Sequence, residues 1–553
     1  MESQRSFLLI GLALVSFLLF QQWQIDYNTP TQPATQVTTS TTPTGESGLA
    51  SAAPAASADD LPSSDTAQPA VVEKPSQTLV KVITDTLEVL IDTKGGDVVS
   101  ATLLQHDLTH KSDEKFHLLS REANYLAQSG LVGRHGPDAN REGRPVYSVD
   151  KAEWTMAGNS LSVPLALTTK DGLVITKTFY FERNKHSIEV NFDVKNTSSN
   201  SLEIQPFYQL KQRIAGGDEG NAMMPTYRGG AYSTTDEAYE KYDFEDMAET
   251  PLNKSTLGGW IGMIQHYFVS AWVPAQDQQN KLYSIVTGTN SAAIIGAKTP
   301  AMIVNAGDTI STKATLFTGP KNQAELDAIH DTLDLAVDYG FLWFISQILF
   351  SGLVAIYGIV GNWGIAIIII TLIVKSLMYP LTKKQYESMA KMRALQPKME
   401  QLKQRYGDDR QKFGQATMEL YRKEKVNPMG GCLPLLLQMP IFLALYWVFL
   451  ESVELRHAPF GLWISDLSAK DPYFILPALF GASMFLMQKL SPTPATDPMQ
   501  QKMMTWMPVI FSVFFIMFPS GLVLYWFVSN VISIVQMLYI YKQLDKKAAA
   551  KKA

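Results

Sequence analysis

The chain has 553 residues, 46% hydrophobic and 18% charged, with a formal net charge of −5. A mildly acidic chain lacks the concentrated positive charge that DNA or other nucleic acid demands of a main partner. Its one cysteine, Cys432, excludes an internal disulfide, and no CxxC pair, Cys/His cluster, GxGxxG or GxxxxGKS pattern is present to hold a metal, nucleotide or other cofactor.

The first apolar run, 7–20, follows Arg5 and is not succeeded by a small-x-small cleavage pattern. Residues 1–27 therefore read as a retained N-terminal transmembrane anchor. Residues 28–75 are dominated by Thr, Ser, Pro, Ala and Gln. With few large apolar side chains to offset the entropy of ordering, they read as a flexible linker.

From 76 to 335, segments such as Thr86-Leu-Glu-Val-Leu-Ile-Asp and Ser187-Ile-Glu-Val-Asn-Phe-Asp-Val alternate apolar and polar residues. Turn signals at Lys94-Gly-Gly-Asp and Lys170-Asp-Gly separate them, which predicts half-buried strands in a large all-β sandwich. Leu326, Ile329, Leu333 and Ala336 recur at helical spacing, so 322–339 is expected to be a helix leading back to the membrane. The aromatic stretch that follows predicts an interfacial amphipathic helix over 336–352.

Five further apolar runs, at about 353–379, 431–450, 472–488, 503–519 and 521–541, read as membrane spans forming a five-span core over 353–541. With the anchor they make six transmembrane α-helices. The 383–425 loop carries twelve Lys and Arg against six acids, whereas 451–471 carries Glu451, Glu454, Asp466 and Asp471. The positive-inside rule puts the basic loop, the basic tail 542–553 and both termini in the cytoplasm, and the β domain outside.

Within the basic loop, Met389, Met392, Leu395, Met399 and Leu402 form one stripe, and Phe413, Ala416 and Leu420 a second. Residues 383–426 thus read as a cytoplasmic helical hairpin, with Arg393 on its basic exterior. The Met-rich face suits hairpin core or a soft docking surface for apolar segments, and both readings stay open.

Lys375 interrupts an otherwise apolar span, where a charge costs roughly 2.5–3.5 kcal/mol at mid-bilayer. It can snorkel to the headgroups or line a functional cavity. Thr371 lies one turn earlier on the same face, Gln438 sits between Pro434 and Pro440, and Trp526, Ser529, Asn530, Ser533 and Gln536 line one face of the last span. Each suits an interhelical hydrogen bond; together they point to a shared wet groove. The 472–488 and 503–519 runs, about seventeen residues each, reach only ~25 Å and are expected to thin the bilayer locally.

The segments Gly361-Asn-Trp-Gly, Met378-Tyr-Pro-Leu-Thr, Ser388-Met-Ala-Lys-Met-Arg, Val426-Asn-Pro-Met-Gly-Gly-Cys-Leu-Pro, Gln438-Met-Pro-Ile-Phe and Pro519-Ser-Gly-Leu-Val-Leu-Tyr-Trp resemble the YidC/Oxa/Alb insertases. The large domain, with Asp92-Thr-Lys-Gly-Gly-Asp and Gly258-Gly-Trp-Ile-Gly-Met-Ile-Gln-His-Tyr-Phe, resembles their Gram-negative branch. The resemblance implies an inner-membrane insertase and chaperone, not an enzyme, with a periplasmic super-sandwich similar to sugar-mutarotase folds. It implies that newly synthesised membrane proteins pass through a hydrophilic groove carrying a positive residue, alone or with the SecYEG translocon and SecDF. It further implies the ribosome and the lipid bilayer as partners. Lys375 stands at the family's positive position, where Arg is familiar, and Trp526 stands where a second Tyr is expected. A small-solute transporter or a translocon-scaffolding factor are the alternatives. The former would require an inverted repeat and coupling-ion ligands, which are not found in the sequence.

Overall fold

The computed structural model describes residues 79–139, 143–214, 226–288, 291–406, 409–424, 426, 433–490, 506–507, 510 and 512–552. The expected anchor (1–27), the linker (28–75) and part of the 503–519 run lie outside the described residues.

Two sheets build the β domain. The eleven-stranded sheet runs Asn253–Leu257, Gln279–Thr287, Ala292–Lys298, Leu202–Arg213, Leu126–Val132, Asp97–Asp107, Leu87–Asp92, Leu79–Ile83 and Glu153–Thr155, with Met302–Val304 and Lys115–Leu119 paired off this path. The eight-stranded sheet runs Glu240–Tyr242, Gly229–Ser233, Trp260–Ile264, Phe268–Val273, Thr309–Pro320, Ser187–Asn196, Leu173–Glu182 and Ser160–Thr168. Alternation drives the pairing: every second residue of Leu87–Asp92 is buried, as is nearly every second residue of Ser187–Asn196. Val89 and Ile91 from one sheet meet Val190, Phe192 and Trp272 from the other in one core, the arrangement of a sandwich.

Inside that sandwich lies a charged cluster. Arg144 pairs with Asp97 at 2.5 Å and Asp138 at 2.7 Å, and Lys177 Nζ donates to the carbonyls of Gly95, Gly96 and Ser129 at 3.1, 2.7 and 2.9 Å. Burial pulls the Lys177 ammonium down to about 7. Three carbonyls for three N–H donors is the compensation that makes such burial tolerable.

The expected helix over 322–339 forms only in part. Helix α1 (Phe244–Glu249) belongs to the domain proper; α2 (Gln323–Asp327) starts the return, capped by Asn322, whose side chain accepts from Glu325 N. Two single 3₁₀ turns, Leu333–Ala336 and Gly340–Leu342, follow in place of a continuous helix. The domain surface overrides local propensity here: Thr332 accepts from Trp260 Nε1 at 2.9 Å and shares a bond with Ser233 at 2.9 Å.

The helices beyond are α3 (Trp343–Val360), α4 (Trp363–Leu377), α5 (Tyr379–Ala394), α6 (Gln396–Tyr406), α7 (Arg410–Lys423), α8 (Leu433–Glu451), α9 (Ile475–Leu490) and α10 (Ser520–Lys552). The boundary expected at 352/353 is thereby corrected. Gly352 lies inside α3, and the chain turns instead at Gly361, whose φ of +64° ends α3, while Asn362 caps α4 by accepting from Ile365 N at 3.0 Å. A glycine that adopts the left-handed conformation stops a helix; one with helical dihedrals only weakens it.

Both ends of α3 sit at the same end of α8. Gly340 packs against the Trp447 indole, one turn before α8 stops at Glu451. At the other end Asn362 donates to the carbonyl of Phe460, in the loop that follows α8. Among the described residues, Gly340–Val360 and Ser520–Lys546 are the two helical stretches long and apolar enough to cross a membrane, and α4 with α5 passes as a pair bent by 65°.

The hairpin differs from expectation in its first arm. Pro397, without an N–H, cannot continue the α5 ladder, so the arm breaks at Leu395. Only α6 pairs with α7, through Lys398 to Glu424 at 2.5 Å and Tyr421 Oη to Met399 Sδ at 3.3 Å. Helix α5 turns to α10, where Met389 packs beside Tyr386, Met537 and Ile540. Met389 and Met399 therefore lie on different surfaces; Met392 is half-buried and Arg393 exposed, with Nη1 3.5 Å from the carbonyl of Leu490.

Candidate functional site

Lys375 occupies the last turn of α4, where the carbonyl end of the helix favours a cation. The residue is only 7% exposed. Its Nζ donates to Ser533 Oγ of α10 at 2.9 Å, and among the described residues no carboxylate pairs with it. The opposite wall reinforces this contact. Gln536 Nε2 donates to the Lys375 carbonyl at 3.2 Å, and Tyr386 Oη of α5 donates to the Ser533 carbonyl at 3.4 Å. Thr371, buried one turn earlier, returns its hydroxyl to the Ile367 carbonyl at 2.6 Å, a bond that satisfies it within its own helix.

The polar face of α10 divides between two neighbours. Ser533 and Gln536 turn to Lys375, whereas Asn530 Nδ2 donates to Ser483 Oγ of α9 at 3.2 Å, and the Ser483 hydroxyl in turn donates to the Phe480 carbonyl at 2.7 Å. Ser529, one residue before Asn530, is buried, and Gln438 is half-buried on α8. Trp526, two turns or ~10 Å from Ser533 along the helix, sits in an aromatic box. Phe442 stacks on it at 5.2 Å, and Phe515, Phe518 and Phe480 surround it at 4.1, 5.7 and 6.0 Å between ring centroids. Its Nε1 has no hydrogen-bond partner among the described residues. Tyr386 and Ser483 carry no signal in the sequence: Tyr386 is one of a run of polar residues in Thr382-Lys-Lys-Gln-Tyr-Glu-Ser, and Ser483 is a lone hydroxyl in an apolar helix.

A second cluster joins the β domain to the helices. Lys321 pairs with Glu451 at 2.9 Å, with side-chain exposures of 2% and 7%. Around it His266 Nε2 lies 2.9 Å from the Leu450 carbonyl, Arg456 Nη2 donates to the carbonyls of Asp107 and Leu108 at 2.7 and 3.0 Å, and Asn322 donates to Glu454 at 3.4 Å. Burial pushes the Glu454 carboxyl up to about 7 and pulls His106, beside Arg456, down to about 4.

Apolar helices, one of them carrying a buried cation, joined at one end to a large β-sandwich, define an α-helical membrane protein with an extramembrane β domain. Residues 79–351 match the family model of the YidC periplasmic domain, and 355–547 that of the 60Kd inner membrane protein. The chain is 56% identical over 550 residues to the membrane protein insertase YidC of Pseudoalteromonas translucida (strain TAC 125), and 53% identical over 552 residues to that of Shewanella pealeana (strain ATCC 700345 / ANG-SQ1). Each match covers 99% of both chains. The chain belongs to the YidC family, and is an inner-membrane protein with a periplasmic domain. Among solved structures, a crystal structure of an active YidC insertase aligns with 85% of this chain and 93% of its own at a TM-score of 0.38 and 18% identity. A galactose mutarotase related enzyme from Lactobacillus acidophilus aligns with 43% of this chain and 97% of its own at a TM-score of 0.31 and 10% identity.

Proposed function

We propose that this protein is a membrane protein insertase and chaperone of the inner membrane, working on newly synthesised membrane proteins alone or with the Sec translocon. The observation that carries the mechanism is the Lys375 ammonium, which is buried against a single hydroxyl instead of a carboxylate. A counter-ion would neutralise the site. A hydroxyl instead leaves net positive charge available to an acidic substrate segment.

In the proposed topology the β domain is periplasmic, α3 lies on the outer surface, and α4 enters at Trp363. Lys375 then stands twelve residues, or ~18 Å, below the outer surface, past the middle of a ~30 Å core. A substrate carboxylate drawn 4 Å from the ammonium gains about 4 kcal/mol at an effective dielectric of 20. That lowers the cost of taking an acidic tail part-way across. Thr371, Gln438, Ser529, Asn530 and Ser533 would supply the hydroxyls and amides of the groove, with Trp526 at its apolar end. The six spans include the N-terminal anchor; α5 to α7 form the cytoplasmic element, whose exposed Arg393 would face ribosome, translocon or nascent chain, while Met389 and Met399 are held in packing contacts and half-buried Met392 lies between them in sequence.

The test is Lys375→Glu reconstituted in proteoliposomes. Substrates with acidic translocated tails should insert at least tenfold more slowly, and the same substrates with neutralised tails at nearly the parent rate. Equal insertion of the acidic substrate by parent and variant would remove charge attraction from the mechanism.

A further inference from the structure

Where the end of α8, the segment leading into α3 and the β domain meet, there is a cleft of about 420 Å³. Trp447 and Tyr227 give it aromatic walls, while Arg228, Lys241, Asp243, Asp338 and Glu451 bring charges of both signs to its surface. Lys321, paired with Glu451 from the domain side, makes the local balance three cations to three acids. A neutral site, four of whose six charges are paired as Lys241 with Asp338 and Lys321 with Glu451, repels neither end of a zwitterion, and gives little attraction to a simple anion.

The position narrows the occupant. Trp447 stands one turn inside the end of α8, the level at which tryptophans anchor membrane helices. Gly340 lies against the same indole, so close that a Cβ there would be 3.3 Å from Trp447 Nε1. Directly after it Phe341 and Trp343 are 75% and 55% exposed, apolar rings that suit lipid and not water. The cleft thus opens where headgroups lie. Arg228 lies 5.3 Å over the Phe244 ring and spends two of its five donors on the carbonyls of Ile214 and Arg213; the others have no hydrogen-bond partner among the described residues and can meet a phosphate. Lys241 lies 4.9 Å over the Tyr227 ring and is bonded to Asp338. A carboxylate accepts from N–H donors, which a primary ammonium has and a trimethylammonium lacks; Asp243 already accepts from the Glu245 and Asp246 amides and Glu451 from Lys321, so an ammonium would be a further donor to each.

We propose that this cleft seats the phosphoethanolamine headgroup of an outer-leaflet phospholipid, with its phosphate at Arg228 and Lys241 and its ammonium at Asp243 and Glu451. The inference rests on the reading that α3 and the end of α8 lie at the periplasmic surface. The occupied cleft would tie the β domain to the leaflet through a lipid as well as through protein contacts.

The test places p-benzoylphenylalanine at position 447, or at position 341 as a bulk-lipid reference. The full chain is reconstituted in vesicles of equal phosphatidylethanolamine, phosphatidylcholine and phosphatidylglycerol, and lipid adducts are read by mass spectrometry. The phosphatidylethanolamine share at 447 is expected to exceed that at 341 by about fivefold or more, a preference of roughly 1 kcal/mol. The paired change Lys241→Gln with Asp338→Asn, which leaves net charge unaltered, should abolish the excess while the adducts at 341 persist. Equal lipid shares at 447 and 341, enrichment of another lipid, or an excess that survives the paired change overturns the site. No lipid adduct at 341 overturns the surface placement of α3 and the site with it.

Discussion

The Lys321–Glu451 pair gives the sharpest stability prediction. Lys321→Met would leave the Glu451 carboxylate in a site where its side chain is 7% exposed, and stranding one partner of a buried pair costs about 3–5 kcal/mol. At 1.36 kcal/mol per decade this shifts the docking equilibrium of the β domain by roughly two to four orders of magnitude. Among the described residues the remaining polar ties are the His266 and Arg456 contacts to backbone carbonyls and the Asn322 bond to Glu454, each worth about 1–3 kcal/mol, and apolar packing of Val453 into the β core adds to them, so losing the pair should loosen the joint detectably without undoing it. Hydrogen exchange in nanodiscs reads this directly, because the Lys321 amide donates to the Tyr267 carbonyl and the Arg456 amide to that of Val453. Exchange over 321–326 and 452–456 should accelerate about a hundredfold or more in Lys321→Met and return near the parent rate when Glu451→Leu is added. Single-variant exchange within threefold of the parent, by the same ~1.4 kcal/mol-per-decade scale, would refute the assignment of the joint to this pair.

Glu454 predicts a pH dependence. Its carboxyl is raised to about 7 by burial, above the usual ~4.3, so the folded state keeps a proton that the unfolded chain releases. Its contribution is fully present below pH ~4.3 and is lost as the pH rises towards about 7. The melting temperature of the parent should therefore fall across this window more steeply than that of Glu454→Gln. Trp526→Ala should cost ~3 kcal/mol of stability, as expected for emptying an aromatic box, whereas a purely substrate-contacting Trp would lose insertion rate at unchanged melting temperature. Gly361→Ala should cost about 1–2 kcal/mol, because a Cβ disfavours φ of +64°, read as a lowered thermal midpoint.

Strand alternation was legible wherever one face is buried and the other half-open, as in Leu87–Asp92. So was the polar face of α10, because helical spacing aligns Ser529, Ser533 and Gln536 without knowledge of any partner. The division of that face was not legible: whether Asn530 meets Lys375 or Ser483 depends on where α9 packs, and periodicity is silent on that. The Arg144, Asp97, Asp138 and Lys177 cluster stayed hidden for the same reason, since its members come from separated strands and loops. Sequence could locate glycine at both 352 and 361 but not the backbone dihedral that distinguishes a tolerated residue from a terminating one. The return segment 322–339 failed differently: its periodicity was genuine, but hydrogen bonds from Trp260 and Ser233 draw Thr332 out of register.

The tethering of both ends of α3 to one end of α8 has a mechanical consequence. In the proposed orientation α3 acts as a float that fixes the draught of the molecule from the outer leaflet, and the buried Lys321–Glu451 bolt fastens the β domain to the same waterline. Depth is then measured from the outside. A thicker or thinner bilayer must be accommodated at the opposite face, where α4 meets α5 at a 65° elbow. The distance from Lys375 to the outer surface stays constant while its distance to the cytoplasm varies with membrane thickness.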